Sequence, residues 1–529
     1  MLKNISKLIS GSLFSRILGF FREMVEASYF GTSKIADAFT LALLFPNLFR
    51  QVLGEDMVER AFMPPFKTVY DKGDKAGSWR YLSVILNFFF FALLGVTLLL
   101  YFIIPLFFAL RESFPEVFSS IFGGTGSGFD YDLALKLVLI MLPFMVFIGI
   151  AAFFGSLLNF FERNWIFSFA PVMLSVGVIL GIWLLEPYIG GYSIAVGYVI
   201  GAFLQMLIQL PFVFNKKFKT ETEFAYHRII QAPEFEFGTV RRESRVIALN
   251  ALFNKSSEIF TRFLATSLAA GATSSLFYAN RLFQLPFGVL SLSIARGINP
   301  ELNRLKSQDD KEKFGQIFQK GVNLYILLFV PITVFLMISS PEIVDLAFRR
   351  GKFDERSLTL TVQAFDMYML GLLPMSLVGY YYRVLSLFNK NKYALYVSVF
   401  NAVSNILLAW LLARYTSLGH AGIALSTTLA FFLNLQIISV YLKKELSGYL
   451  LKTNRFTKDI CVLLVVFFSV YVIYRAGSLS FYDTKIISMI SLSLKGLIVA
   501  LIFGGWLIMN KQTAALVKPY LKKFGRKKN

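Results

Sequence analysis

The chain has 529 residues, 56% of them hydrophobic and only 16% charged, against roughly a quarter charged in soluble domains. No water-soluble globule of this length hides so much apolar surface behind so few charges, so the composition predicts an all-α polytopic membrane protein. One cysteine and two histidines exclude a disulfide scaffold and a His/Cys metal centre, and the net charge of +21 must be explained by where it lies.

Apolar runs of roughly 20 residues or more follow one another, each long enough to cross about 30 Å of hydrocarbon. They fall near 5–30, 36–56, 80–110, 132–157, 165–186, 192–214, 244–268, 272–299, 315–340, 362–388, 393–413, 420–442, 457–476 and 486–510, about 14 transmembrane helices. The first run follows Lys3 and Lys7 as a signal peptide would. It is long, however, carries Arg16 and Arg22, and lacks a small-residue cleavage site, so it reads as a retained helix. Lysines and arginines gather in alternate loops, 57–80, 215–245, 301–320 and 443–458, and in the tail 511–529 that ends KKFGRKKN. That asymmetry marks these segments as cytoplasmic, and an even number of spans puts both termini there. The tail reads as an anchor beside anionic lipid, not as a nucleic-acid site.

The chain repeats itself. GTSKIADAFTLALLFPNLF from Gly31 aligns with GATSSLFYANRLFQLPFGV from Gly271 at an offset of 240, pairing Pro46 with Pro286 and Arg22 with Arg262. FERN at 161–164 matches FNKN at 388–391, and VILGIWLL at 178–185 matches NILLAWLL at 405–412, both at an offset of 227; Ile194-Ala195 then matches Ile423-Ala424. Collinear blocks of this kind predict a duplication. Equivalent points lie six spans apart, so the expectation is two six-helix lobes related by a parallel pseudo-twofold repeat, with the binding site between them. The domain organisation expected is an N-terminal lobe 1–215, a cytoplasmic linker 216–243, a C-terminal lobe 244–446, two further helices in 447–511 and a basic cytoplasmic tail 512–529.

Charged residues inside these spans are the functional candidates, because each costs at least about 2.5–3.5 kcal/mol at the bilayer centre. Arg16, Arg22, Glu23 and Glu26 lie in the first span, and Asp37, Arg50 and Glu55 in the second. Lys255, Glu258 and Arg262 lie in the seventh, Arg281 and Arg296 in the eighth and Arg383 in the tenth. At about 1.5 Å of rise per residue, Arg16 and Arg281 both come near the midplane, one from each half of the repeat. The spacing of Lys255, Glu258 and Arg262 suits a self-neutralised cluster, and Arg22 reaches Glu26 in the same way; Arg16 has no acid four residues away. Arg383 sits where snorkelling is an alternative account. A cavity lined by arginines prefers an anion, and the planar guanidinium fork suits phosphate oxygens. No GxxxxGK[ST] loop, HExxH or Ser/His/Asp set is present, and His227 and His420 lie in or beside loops, so a transporter is expected and not an enzyme. The aromatic excess reads mostly as lipid-facing filler.

SRILGFFRE at 15–23, ADAFTLALLFPNLFRQ at 36–51, LLNFFERNWIFSFAP at 157–171 and YANRLFQLPFGVL at 278–290 resemble the MurJ (MviN) family of lipid II flippases. That family is a branch of the multidrug, oligosaccharidyl-lipid and polysaccharide exporters. The resemblance implies two six-helix lobes plus helices 13 and 14 forming a groove for a polyprenyl tail. It implies a monomer in the bacterial inner membrane, whose partners are membrane lipids and lipid II. The diphosphate headgroup would pass from the cytoplasmic to the periplasmic leaflet by alternating access. The family's cavity residues carry over as Ser15, Arg16, Arg22 and Glu23 in helix 1, Asp37, Arg50 and Glu55 in helix 2, Arg281 in helix 8, and Arg383 in the segment RVLSLF. Some members of the family bind sodium through acids in helices 7 and 11. The matching positions here are Thr261, Asn401 and Asn405; a hard cation wants anionic oxygen, which argues against sodium coupling. No cofactor is implied, and the membrane potential is the expected drive, with proton coupling at Glu23 or Asp37 as an addition. A flippase for another polyprenyl-diphosphate glycan of the O-antigen type, or a drug/cation antiporter of the same superfamily, remain the alternatives. A membrane-bound phosphotransferase would need a carboxylate cluster, and Asp37 and Glu55 lie at opposite ends of one span.

Overall fold

The computed structural model describes residues 2–51, 57–122, 128–214, 255–388, 390–445 and 485–509, and these form helices and turns with no strand among them. The expected span 457–476, the linker 216–243, the tail 512–529 and Glu55 lie outside the described residues. Two compact units divide the chain: Met1–Ser274 with Arg350–Asp354, and Ser275–Arg349 with Glu355–Asn529. Seven described helices are long and apolar enough to cross a membrane, or eight if the bent pair Glu355–Met369 and Leu372–Leu387 is one span.

The first unit runs through α1 (Leu2–Phe30), α2 (Lys34–Ala42), α3 (Leu44–Phe49), a π-helical turn (Val58–Phe62), α4 (Met63–Asp71), α5 (Lys75–Ser113), α6 (Pro115–Phe122), α7 (Tyr131–Phe160), α8 (Asn164–Ile189) and α9 (Tyr192–Phe214). Helices α8 and α9 meet through small residues, the usual device where lipid removes the hydrophobic drive for helix pairing. A Cβ on Gly177 would lie 2.3 Å from the Cα of Gly201, and one on Gly181 would lie 2.5 Å from the Cα of Gly197. Beside them an aromatic core gathers Phe62, Phe66, Trp79, Tyr81, Phe89 and Phe153, all buried.

The second unit continues α10 (Ala272–Pro286) into a π-helical turn (Phe287–Ser291) and α11 (Leu292–Ser307). It then adds α12 (Lys311–Ile338), α13 (Ser340–Phe348), α14 (Glu355–Met369), α15 (Leu372–Leu387), α16 (Asn391–Tyr415), α17 (His420–Glu445) and α18 (Lys485–Met509).

Three expectations need correction. The runs 36–56 and 272–299 are not continuous helices. Pro46 and Pro286 each remove a backbone donor and crowd the preceding turn: the helix breaks at Leu43, one turn ahead of Pro46, and π geometry appears at 50–51 and, directly after Pro286, at 287–291. The run 362–388 is likewise broken, with a 44° bend between α14 and α15. The aromatic residues are not mostly filler: the largest fully buried side chains are all Phe or Tyr, from Tyr81 and Tyr325 to Phe348 and Phe353, although Phe88, Phe91 and Phe102 do point outward. In a bilayer the exterior is as apolar as the core, so hydrophobicity does not sort a ring inward or outward; void filling does.

Matched local structure accompanies the repeat. Gly31 and Gly271, paired by the repeat, both take positive φ, +54° and +90°, just ahead of a helix. Asp74 caps α5 by accepting from the Gly77 amide at 2.8 Å, and Asp310 caps α12 by accepting from the Lys313 amide at 3.1 Å.

The last described helix is held by a polar ladder. Ser488 donates to Asp345 (3.1 Å), Ser491 to Glu342 (2.7 Å), and Lys495 to the Ile338 carbonyl (3.1 Å) and to Glu342 itself. The Glu342 side chain is wholly buried and that of Lys495 nearly so. Removing one member of a buried ion pair strands the other, at a cost of about 3–5 kcal/mol. Lys495→Met is therefore expected to lower the thermal unfolding temperature of the purified protein clearly, and Lys495→Met combined with Glu342→Gln to recover most of the loss. An unchanged melting temperature in the single variant would contradict the ladder.

Candidate substrate site

Helix α1 is unbroken for 29 residues, so its charges are ordered by helical geometry alone. Arg22 and Glu26 lie one turn apart and Glu23 beside them. The Arg22 guanidinium meets Glu23 Oε1 and Glu26 Oε1, each at 3.3 Å. Tyr198 of α9 donates its hydroxyl to Glu26 Oε1 at 3.0 Å, and its ring centroid lies 5.3 Å from the guanidinium carbon. Glu23, Glu26 and Tyr198 are buried. One guanidinium faces two carboxylates, so the cluster has no positive charge to spare. Tyr198 was not legible as a partner in the sequence, since it is 172 residues from Glu26.

Arg16 is placed differently. Six residues toward the N-terminus of α1 amount to about 9 Å of rise and roughly 240° of rotation, which takes it off the Arg22 face. Its side chain is exposed, Ser15 beside it is half-buried, and among the described residues no carboxylate pairs with Arg16.

Asp37, in the first turn of α2, is almost fully buried. Its Oδ2 accepts from the Gly271 amide at 2.6 Å, and its Oδ1 accepts from the Ser274 amide at 2.8 Å and the Ser274 hydroxyl at 2.7 Å. The carboxylate thus sits on the free N–H groups that open α10, where helix termini favour negative charge. It is a frame for that turn, and its three donors leave it little capacity for a ligand.

The remaining candidates are separate. Arg50 lies at the π-widened turn and donates its Nε to Asn47 Oδ1 at 3.4 Å. Arg281 stands on α10 with its guanidinium carbon 4.8 Å from the centroid of Phe277, one turn back. Arg383 is half-buried on α15. Lys255 and Glu258 form the expected pair at 2.7 Å. At the positions matching the family's sodium site, Thr261 donates to the carbonyl of Ser257 at 2.8 Å, Asn405 Oδ1 accepts from Ser426 at 2.9 Å, and Asn401 Oδ1 accepts from Asn434 at 2.5 Å. Among the described residues no group of three or more His, Cys, Asp or Glu side chains is placed to hold a metal ion. Chemically the guanidinium groups of Arg16 on α1 and of Arg281 on α10 are each receptor chemistry for an anion.

The family model "Lipid II flippase MurJ" matches residues 26–495. The probable lipid II flippase MurJ of Buchnera aphidicola subsp. Schizaphis graminum is 26% identical over 526 residues, covering 96% of this chain and 98% of that protein. Its counterpart from Vibrio cholerae is 28% identical over 445 residues, covering 81% and 80%. Among solved structures, a lipid II flippase MurJ in an inward closed conformation shares the fold with a TM-score of 0.74 at 23% identity, over 94% of this chain and 98% of that one. An inward-facing multidrug resistance transporter of the MATE family in the MOP superfamily gives a TM-score of 0.63 at 12% identity, over 82% and 95%. The likeness to MATE transporters carries the architecture only, whereas the family match spans most of the chain: this protein belongs to the lipid II flippase MurJ family.

Proposed function

We propose that the chain moves lipid II from the cytoplasmic to the periplasmic leaflet of a bacterial inner membrane by alternating access, with both termini in the cytoplasm. The observation that carries the chemistry is Arg16: a guanidinium exposed on a membrane-length helix, with no described carboxylate paired to it. A charge so placed is expensive unless it serves a water-filled path or an anionic ligand, and the lipid II diphosphate is such an anion. Arg281 supplies a second guanidinium from the other half of the repeat. By resemblance to the family, Ser15, Arg22, Glu23, Asp37, Arg50, Glu55 and Arg383 are assigned to the same substrate path. Depletion of the protein in its native host, with lipid II accessibility assayed on each leaflet, tests this reading. Lipid II that still reaches the outer leaflet at the normal rate would overturn it.

The direction of travel follows from charge. Moving one elementary charge across 100 mV is worth about 2.3 kcal/mol, so an anion leaves a cytoplasm held negative without ATP. The amide oxygens of Asn401 and Asn405 already accept hydrogen bonds, and Thr261 is tied to its own helix, which supports potential and not sodium as the drive. Vesicles with potential, pH gradient and sodium gradient imposed separately are expected to respond to potential. A strict sodium requirement with no response to potential would contradict this.

A further inference from the structure

Arg296 is the charged residue of the eighth span that the transport reading leaves unused. It stands on α11, whose buried side is settled: Ile294, Ala295, Leu302 and Leu305 face inward. At one end Tyr325 of α12 donates its hydroxyl to the Ser291 carbonyl at 3.0 Å, and at the other Lys306 donates to the Leu387 carbonyl that ends α15. A helix tied at both ends has a fixed outward side. Along it, exposed positions follow half-buried Arg281 at steps of four, Leu285, Val289 and Ser293, and reach Arg296 beside Gly297. Steps of four drift by about 40° each on a plain α-helix. The π-helical turn at 287–291 closes i→i+5 and winds less per residue, which removes part of that drift.

The other cations of α11 are engaged. Arg304 meets Glu301 at 2.6 Å and Gln308 at 3.2 Å, and Lys306 caps α15. Arg296 has no acid within one turn, and among the described residues no carboxylate pairs with it. A Cβ on the neighbouring Gly297 would meet open space. Asn299, three residues on and half-buried, keeps its Oδ1 covered and without a hydrogen-bond partner among the described residues. A buried acceptor of this kind asks for a donor. A guanidinium beside such an amide oxygen matches what the end of a peptide offers, a carboxylate and amide N–H groups.

Distance separates this place from the diphosphate. Fifteen residues of rise put Arg296 about 20 Å along the helix path from Arg281, far beyond the length of a diphosphate. The headgroup of lipid II also carries a sugar-linked peptide with free carboxylates. A peptide of about five residues extends roughly 17 Å, and the sugars that carry it cover the rest.

We propose that Arg296, with Asn299, binds the carboxylate end of the peptide on the substrate's headgroup while the diphosphate sits at Arg281. The inference deepens the transport reading and rests on it for the identity of the substrate. Arg296 then discriminates between headgroups, since a diphosphate glycan without a peptide gains nothing from it.

The test is transport by the full chain in vesicles of neutral phosphatidylcholine. The substrate is lipid II with its native peptide, or lipid II whose peptide carboxylates have been converted to carboxamides. Arg296→Gln is expected to raise KM for native lipid II at least tenfold with kcat within twofold. On the carboxamide form, already weak with wild type, the variant is expected to stay within twofold of wild type. Arg304→Gln, on the same helix, is expected to change neither. An equal loss on both substrates would place Arg296 at a phosphate and overturn the proposal. A loss seen only in vesicles containing phosphatidylglycerol would mark a phospholipid contact and overturn it too. Should Arg296→Gln not reach the membrane, Arg296→Lys takes its place; a loss confined to native lipid II supports the proposal, and no loss or an equal loss overturns it. Wild-type protein that moves neither form would count against the transport reading, and binding of both forms to the purified chain would then judge the site. Native lipid II bound at least tenfold tighter by wild type, with that preference lost in the variant, supports it; equal binding by wild type overturns it.

Discussion

Alanine at Arg16, or at Arg281, is expected to abolish complementation of a strain depleted of its own flippase while leaving the amount of protein in the membrane unchanged. A hydrogen bond to a charged group contributes about 1.5–3 kcal/mol net, so losing one guanidinium from the diphosphate is expected to slow transport by roughly 10- to 150-fold. Lysine at Arg16 keeps the charge but not the planar fork, so partial rescue is expected. Arg22→Ala is a deliberate contrast. It removes the guanidinium that Glu23 and Glu26 share at 3.3 Å, so its loss of transport is expected to come with a loss of stability. Membrane abundance and melting temperature, measured beside complementation, separate the two cases. Normal growth of both the Arg16 and the Arg281 alanine variants would remove the diphosphate-binding account.

Substitutions at Asp37 are expected to fall in a definite order. Alanine leaves the buried amides of Gly271 and Ser274 without their acceptor, and leaves the Ser274 hydroxyl only the Gly271 carbonyl at 3.4 Å. Each such orphan costs about 1–3 kcal/mol, so a loss of several kcal/mol is expected, with transport falling at least tenfold because α10 also carries Arg281. Asparagine keeps the shape but turns one oxygen into an NH₂ group. Whichever way the amide faces, a donor then opposes a donor at Gly271 or at Ser274, and an intermediate loss is expected. Ser274→Ala removes only the hydroxyl and is expected to cost least. Melting temperatures of the purified variants check the order, and an Asp37→Ala protein as stable as wild type would contradict the framing role.

What the sequence made legible divides by distance along the chain. The membrane class followed from composition, and the Arg22–Glu26 and Lys255–Glu258 pairs from helical spacing, because these are local facts. The prolines that interrupt the second and eighth spans were visible as Pro46 and Pro286, but not how far the ladder would open around them. Partners remote in sequence were not legible: Asp37 with Gly271 is 234 residues away, and Glu342 with Lys495 is 153. No periodicity carries such pairings. Asp37 stood out as a carboxylate in a membrane span, but the helix terminus it caps could not be read from the sequence. The buried rings were misread for a different reason, since in a bilayer protein the apolar pattern does not separate the inside from the outside. The charged residues inside the spans did stand out, and among the described residues Arg16, exposed on α1, has no carboxylate paired to it.

The most direct measurement is lipid II translocation by the purified chain in proteoliposomes, with a polyprenyl-diphosphate O-antigen unit offered in parallel and Arg16→Ala as the matched control. The account predicts that lipid II appears in the opposite leaflet at a rate set by the imposed potential, that the O-antigen unit is moved far more slowly, and that Arg16→Ala moves neither. Equal transport of both glycans would contradict the assignment to lipid II, and full lipid II transport by Arg16→Ala would contradict the central claim that the Arg16 guanidinium on α1 holds the diphosphate.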